Sequence, residues 1–187
     1  MKRKAFIFFQ IIVCSFILFQ SNLIFCASPA EELPAAKFTL PAPDSLEAQK
    51  YLGLKAMEPF KVSDIKAKLV VIEFMSAFCP YCLANAPIIN NIHKTIQADS
   101  RLADVKVIAI ACGNEKAEVD AYKKKFKTPF PVLLDQDFEI SASMDGVPTP
   151  TTMIVSTENG KVLFSETGVI KDSDRFLKEL KALHKNK

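Results

Sequence analysis

Two cysteines in Cys79-Pro80-Tyr81-Cys82 are the residues of this chain best suited to covalent chemistry. A pair at that spacing can cycle between a dithiol and a disulfide, provided one thiol ionises readily enough to attack. The flanking sequence predicts how that condition is met. Upstream, Leu69-Val70-Val71-Ile72-Glu73-Phe74-Met75 is a run of apolar and β-branched residues, the pattern of a buried strand. Downstream, Ile88, Ile89, Ile92 and Ile96 form the stripe of a helix packed on a core. Cys79 then falls near a helix N-terminus, where unpaired N–H groups and the helix dipole favour an anion and lower a thiol's pKa. Cys82, one turn on, lies on the same side of the helix and can close a disulfide with it.

The first thirty residues read as a secretory leader. Lys2, Arg3 and Lys4 precede an apolar stretch from about Ala5 to Phe25, and Ala27, Ser28 and Ala30 offer a cleavage site. Gln10, Ser15, Gln20, Ser21 and Asn22 dilute that stretch, leaving an apolar part shorter than the roughly 20 residues of a spanning helix. Cleavage is therefore favoured over retention as an anchor. Lipidation of Cys26 is a third outcome, opposed by the bulky Phe25 before it. Of five cysteines, Cys14 and Cys26 lie in the leader, so Cys79, Cys82 and Cys112 remain, too few for a disulfide scaffold. The chain has 24 basic and 21 acidic residues, and losing Lys2, Arg3 and Lys4 leaves 21 of each. A near-neutral mature chain gives no reason to expect a nucleic-acid partner. The stretch after Ala30 is long enough for one domain with a proper core.

Residues 31–58 read as an N-terminal arm, because Pro34, Pro41 and Pro43 interrupt it and no long periodic run appears. The domain proper spans 59–187. A short edge strand is expected within Lys55–Val62, with Ser63-Asp64 capping a turn before the Leu69–Met75 strand. Val105–Ala111 predicts a second buried strand, and Ala117–Phe126 a helix with Lys123, Lys124 and Lys125 on a solvated face. Phe130–Leu134 predicts a short strand. Thr151–Val155 and Lys161–Phe164 flank Glu158-Asn159-Gly160, a hairpin signal. Asp172 or Ser173 caps a last helix whose stripe is Phe176, Leu177, Leu180 and Leu183. Strands separated by helices and closed by a hairpin and a helix make an α/β sandwich.

In this order the landmarks resemble a thioredoxin-fold protein, over about Phe60 to Leu183. Phe78-Cys79-Pro80-Tyr81-Cys82 resembles the family's active-site segment, and Pro87 matches the proline inside its helix. Glu73, six residues before Cys79, falls where members carry a buried acid. Thr149-Pro150-Thr151-Thr152 resembles the loop with a cis-proline that faces the dithiol. Pro148 competes for that role, and the strand starting at Thr151 favours Pro150. The resemblance implies a thioredoxin-like sandwich with a central mixed sheet flanked by helices. It also implies a monomeric protein-disulfide oxidoreductase that needs no cofactor.

By that resemblance, Cys79 and Cys82 carry the exchange, Glu73 relays the proton that Cys82 loses, and Thr149 and Pro150 bind the substrate chain. If buried and unpaired, Glu73 has a raised pKa. The C-terminal half is similar to membrane-anchored reductases of the TlpA and ResA type, whereas Glu73–Phe78 resembles the Dsb oxidants. A reductase is the favoured reading. The implied partners are protein thiols and disulfides and a membrane electron donor or acceptor, and the implied compartment is the periplasm if the source is Gram-negative.

Three other readings stay open: a disulfide oxidant or isomerase, a peroxiredoxin-like peroxidase using Ser76 beside Cys79, and a metal-handling protein using Met75 with the two cysteines. Two histidines in all argue against a zinc site. Cys112 reads as a small buried hydrophobe, and His93 as a residue outside the catalysis.

Overall fold

The strand at Leu69–Met75 is the middle of the molecule. All seven residues are buried, as a strand covered on both faces must be, and only Glu73 among them is polar. The structure, a computed structural model, describes residues 36–186. The expected leader, with Cys14 and Cys26, and the first residues of the arm lie outside them.

In chain order the elements are β1 (Thr39–Leu40), α1 (Leu46–Leu52), β2 (Phe60–Lys61), β3 (Leu69–Met75), α2 (Pro80–Ala98), β4 (Val105–Cys112), α3 (Lys116–Phe126), β5 (Val132–Asp135), α4 (Glu139–Ala142), β6 (Thr151–Ser156), β7 (Val162–Thr167) and α5 (Ser173–Lys185). Five strands form one sheet in the order β5-β4-β3-β6-β7. β3, β4 and β5 run parallel, while β6 and β7 are antiparallel additions. Glu73 stands opposite Ala109 on one side and Thr152 on the other. This mixed sheet flanked by helices is the thioredoxin-like sandwich.

Strand alternation splits the core into two layers. Leu69, Val71 and Met75 pack with Ile89, Ile92 and Ile96 of α2 and with Phe176 and Leu180 of α5. Val70, Ile72 and Phe74 pack on the other side with Phe38, Leu40, Leu52 and Phe60. Phe38, Leu40 and Leu52 come from the N-terminal stretch, so it is more than a surface arm. It also holds α1, which a sequence reading misses because seven residues make under two turns and show no period. Its ends are still legible: Ser45 accepts from the Ala48 N–H, and Gly53 takes the left-handed conformation (φ 70°) that ends a helix.

The strand sought within Lys55–Val62 shrinks to Phe60–Lys61 and pairs with β1 in a separate two-stranded ribbon. Asp64 closes the next turn by accepting from the Lys61 N–H at 2.7 Å. Lys123 reaches back to Asp44 at 2.9 Å, while Lys124 and Lys125 stay exposed. The four-residue helix α4 has no counterpart in the sequence reading. The buried Asp135 carboxylate makes it, accepting from the N–H groups of Ile140 and Ser141, both at 2.9 Å.

Candidate active site

β3 and α2 meet in a short loop, and Cys79 is the residue that caps the helix. Its sulfur accepts from the Cys82 N–H at 3.4 Å, taking the place of a capping oxygen. Pro80 occupies the first helical position, where its missing N–H costs no hydrogen bond. Cys82 is fully buried, and its sulfur accepts from the Ser76 N–H at 3.4 Å. Both thiols are free, so the structure holds the dithiol form. Phe78 and Tyr81 flank them with their rings in solvent.

A second loop closes over the pair. The Cys79 thiol donates to the Thr149 carbonyl at 3.4 Å. The Thr149–Pro150 peptide is cis, and Pro148 is not preceded by a cis bond. The Thr151 hydroxyl donates to the Pro148 carbonyl at 2.7 Å, and the Gly168 N–H donates to the Pro150 carbonyl at 2.7 Å. Those two bonds tie the loop to both strands of the hairpin.

The two thiols experience opposite environments. Partial burial opposes ionisation of Cys79, but hydrogen bonding from the Cys82 side chain and backbone, from the Thr149 side chain and from the Tyr81 backbone outweighs it and holds the thiol below its ordinary value. Burial pushes the Cys82 thiol up to about 12, helped by its neighbour Cys79. Cys79 is thus the better nucleophile, and Cys82 needs a base before it can attack.

Glu73 is the acid nearest to hand in the sequence pattern, and the structure buries it completely in the layer that also contains Cys82. Burial raises its carboxyl to about 7, against the lowering effect of Asn85. Asn85 is the partner that the sequence does not reveal. Its amide N–H donates to Glu73 Oε1 at 2.7 Å, and its carbonyl accepts from the Ile170 N–H at 3.0 Å. Tyr122 of α3 packs in the same layer. Burial first, then the charges of Glu73 and Cys82, push its phenol up.

Asn114 is a second residue that sequence reasoning misses. It is fully buried just past β4, accepts from the Ala77 N–H at 2.9 Å and donates to Glu118 Oε2 at 3.0 Å, pinning the active-site loop to the start of α3. A polar residue inside an otherwise apolar stripe is the signal that could have found Asn85; for Asn114 the sequence offers only its position after a strand and a glycine.

The remaining candidates fall elsewhere. Cys112 is buried on the other face of the sheet, and burial with the charge of Asp135 pushes its thiol up to about 12. Ser76 serves the turn: its hydroxyl accepts from the Phe78 N–H at 3.4 Å. Met75 is fully buried in the core. His93 lies between the rings of Tyr51 and Phe130, with centroids 6.0 and 5.5 Å away. Burial, with the charge of Lys106, lowers its pKa. Among the described residues no group of three or more His, Cys, Asp or Glu side chains is placed to hold a metal ion.

Comparison with known proteins gives the chain a family and a shared fold. Residues 33–165, well over half of the chain, match the AhpC/TSA family. The chain belongs to the AhpC/TSA family. Within that family it is similar to the thiol-disulfide oxidoreductase ResA of Bacillus subtilis (strain 168), with 31% identity over 113 residues. That match covers 60% of this chain and 60% of the relative's length. Among solved structures, the sandwich is shared with StoA from Bacillus subtilis (18% identity, TM-score 0.58, covering 79% of this chain and 99% of that one). It is shared as well with a thiol:disulfide interchange protein of the thioredoxin family from Chlorobium tepidum TLS (20% identity, TM-score 0.59, covering 83% and 98%). At those identities the two structures speak for the fold.

Proposed function

We propose that this AhpC/TSA-family chain is an exported thiol–disulfide oxidoreductase that exchanges its Cys79–Cys82 pair with protein substrates and works as a reductase. The observation that carries the reading is the asymmetric dithiol at the start of α2, one thiol held low and accessible, the other held high and buried. The Cys79 thiolate attacks a substrate disulfide, a mixed disulfide forms, and one substrate sulfur leaves and takes a proton. Cys82 then gives its proton to the Glu73 carboxylate, attacks Cys79, and frees the second substrate sulfur. Two electrons pass to the substrate, and the chain is left with a Cys79–Cys82 disulfide. With a carboxyl near 7, Glu73 is partly ionised at neutral pH and can accept that proton. Thr149 and Pro150 present the backbone that an extended substrate pairs with.

The reductase direction follows the C-terminal half, whose Thr149-Pro150-Thr151-Thr152 loop and Asn159-Gly160 hairpin resemble those of the TlpA and ResA reductases. The leader pattern supports export. Among the described residues no helix is long and apolar enough to cross a membrane. Outside the cytoplasm such a reductase needs a membrane electron donor to return it to the dithiol. Equilibration of the chain against glutathione tests the direction: a potential near about −270 mV fits a reductase, and one near about −120 mV makes it a disulfide donor.

A further inference from the structure

Asn114 is wholly buried just past the end of β4, where a polar side chain is costly unless its polar atoms find partners. Both ends of its amide are engaged. Oδ1 accepts from the Ala77 N–H at 2.9 Å, and Nδ2 donates to Glu118 Oε2 at 3.0 Å. The same carboxylate oxygen accepts from the Glu115 N–H at 2.9 Å, which fixes it at the start of α3. A carboxylate can only accept and a backbone N–H can only donate, so the amide has one workable orientation. The backbone carrying it is constrained as well. Gly113 takes a positive φ of 65°, and its N–H donates to the Asp135 carbonyl at 2.9 Å. The Phe138 ring fills the space beside Gly113, where an added Cβ would stand 2.1 Å from the ring carbon Cζ.

We propose that Asn114, oriented by Glu118, is a positioning residue for the nucleophile, holding the active-site loop where Cys79 Sγ meets the Cys82 N–H. The inference rests on the dithiol-exchange reading above. Other bonds of the loop stay within the loop and the first turn of α2. The Ser76 N–H donates to Cys82 Sγ at 3.4 Å, the Phe78 N–H to the Ser76 hydroxyl at 3.4 Å, and the Cys79 N–H to the Ser76 carbonyl at 3.1 Å. The Ala77–Asn114 bond ties that unit to the end of β4. Ala77 stands two residues ahead of Cys79, so a loop released at Ala77 carries the sulfur away from the helix N-terminus. There the 3.4 Å bond from the Cys82 N–H favours the thiolate over the thiol. Cys82 is the titratable group that faces Cys79 from α2, and Thr149 faces it from the second loop. Glu118 can act on Cys79 in two opposed ways. Its charge alone would disfavour a second anion nearby. Its hold on Asn114 keeps the sulfur on the helix N-terminus and favours that anion. Removing Glu118 separates the two by sign.

The test is the pH midpoint of Cys79 alkylation by iodoacetamide, read at that site by mass spectrometry. It compares the unaltered protein with Asn114→Ala, Glu118→Ala and Glu118→Gln. Asn114→Ala is expected to raise the midpoint by about 1 pH unit, leaving about tenfold less thiolate below it. Glu118→Ala, at a half-buried position, reports even where the buried substitution unfolds the chain, and it is expected to raise the midpoint by a smaller step. Glu118→Gln keeps an acceptor for the Asn114 amide and is expected to leave the midpoint at or below its original value. A midpoint that falls or stays in place in Glu118→Ala overturns the proposal, because the carboxylate then acts by charge or not at all. An unmoved midpoint in a folded Asn114→Ala does the same. Failure of the unaltered protein to reduce insulin disulfides instead overturns the dithiol-exchange reading, and the positioning role with it.

Discussion

The two faces of the central sheet are built from the same strands, yet they bury different things. On the α2 side, Glu73, Cys82, Asn85 and Tyr122 are set among the aliphatic side chains of the core. On the other side, Val70, Ile72, Phe74, Ile108 and Ile110 pack against the N-terminal stretch with no ionisable group at their centre, and Cys112 and Asp135 lie toward the β5 end. Alternation along β3 makes the division: Glu73 takes a place that Val71 and Met75 hold on either side of it. A buried acid is costly unless donors meet it: Asn85 meets Glu73 on the α2 side, and the Ile140 and Ser141 N–H groups meet Asp135 on the other. Of the two acids, Glu73 is the one that shares its layer with Cys82.

The largest break in this comparison comes at the helix cap. Cys79→Ser is expected to slow reduction of insulin disulfides by about 1000-fold or more with the fold intact; a rate within tenfold of the original would place the chemistry elsewhere. Glu73→Gln sharpens the electrostatic contrast. The Glu73 carboxyl titrates near 4.5 when unfolded and at about 7 when buried, so the folded state holds the proton more tightly. Its contribution is fully present below pH 4.5 and is lost as pH rises through 7, a span of at most ~3 kcal/mol. Urea unfolding across pH 4 to 8 should show Glu73→Gln gaining on the original protein by up to that amount, and parallel curves would refute a buried neutral acid.

Asn85→Ala leaves the carboxyl and the Ile170 N–H without their partner. It should cost about 2 kcal/mol and move the Glu73 transition to higher pH, since Asn85 lowers that pKa. A transition at the same pH would detach Asn85 from Glu73. The smallest effect belongs to the apolar face. Ile72→Val should cost about 1 kcal/mol at every pH and leave the pH profile of turnover where it was. A shifted profile there would dissolve the distinction between the faces.

Much of this arrangement is legible in the sequence because its signals are local. An apolar run broken only by Glu73 marks β3, a stripe marks α2, and Asn159-Gly160 marks the turn before β7. The dithiol, Glu73 and the two prolines stand at spacings that a sequence carries by itself. The rest depends on pairs far apart in the chain. Asn85 meets Ile170, Asn114 meets Ala77, and Lys123 meets Asp44; no window of sequence holds both partners. Short elements such as α1 and α4 are made by single capping side chains, Ser45 and Asp135, and they lack the length for a period to emerge.

The point where the described chain enters the sandwich bears on its reach. The Ala36 N–H donates to the Gly160 carbonyl at 2.7 Å, which fastens the N-terminal stretch to the β6–β7 turn. That turn lies beside Leu69, at the far end of β3 from Cys79. The seven residues of β3 separate entry from dithiol by roughly 20 Å. A tether attached ahead of Ala36 would therefore hold the domain by its base, with Cys79, Phe78 and Tyr81 turned outward. Substrates would be met head-on, and a longer leash would widen the searched volume without changing which surface arrives first.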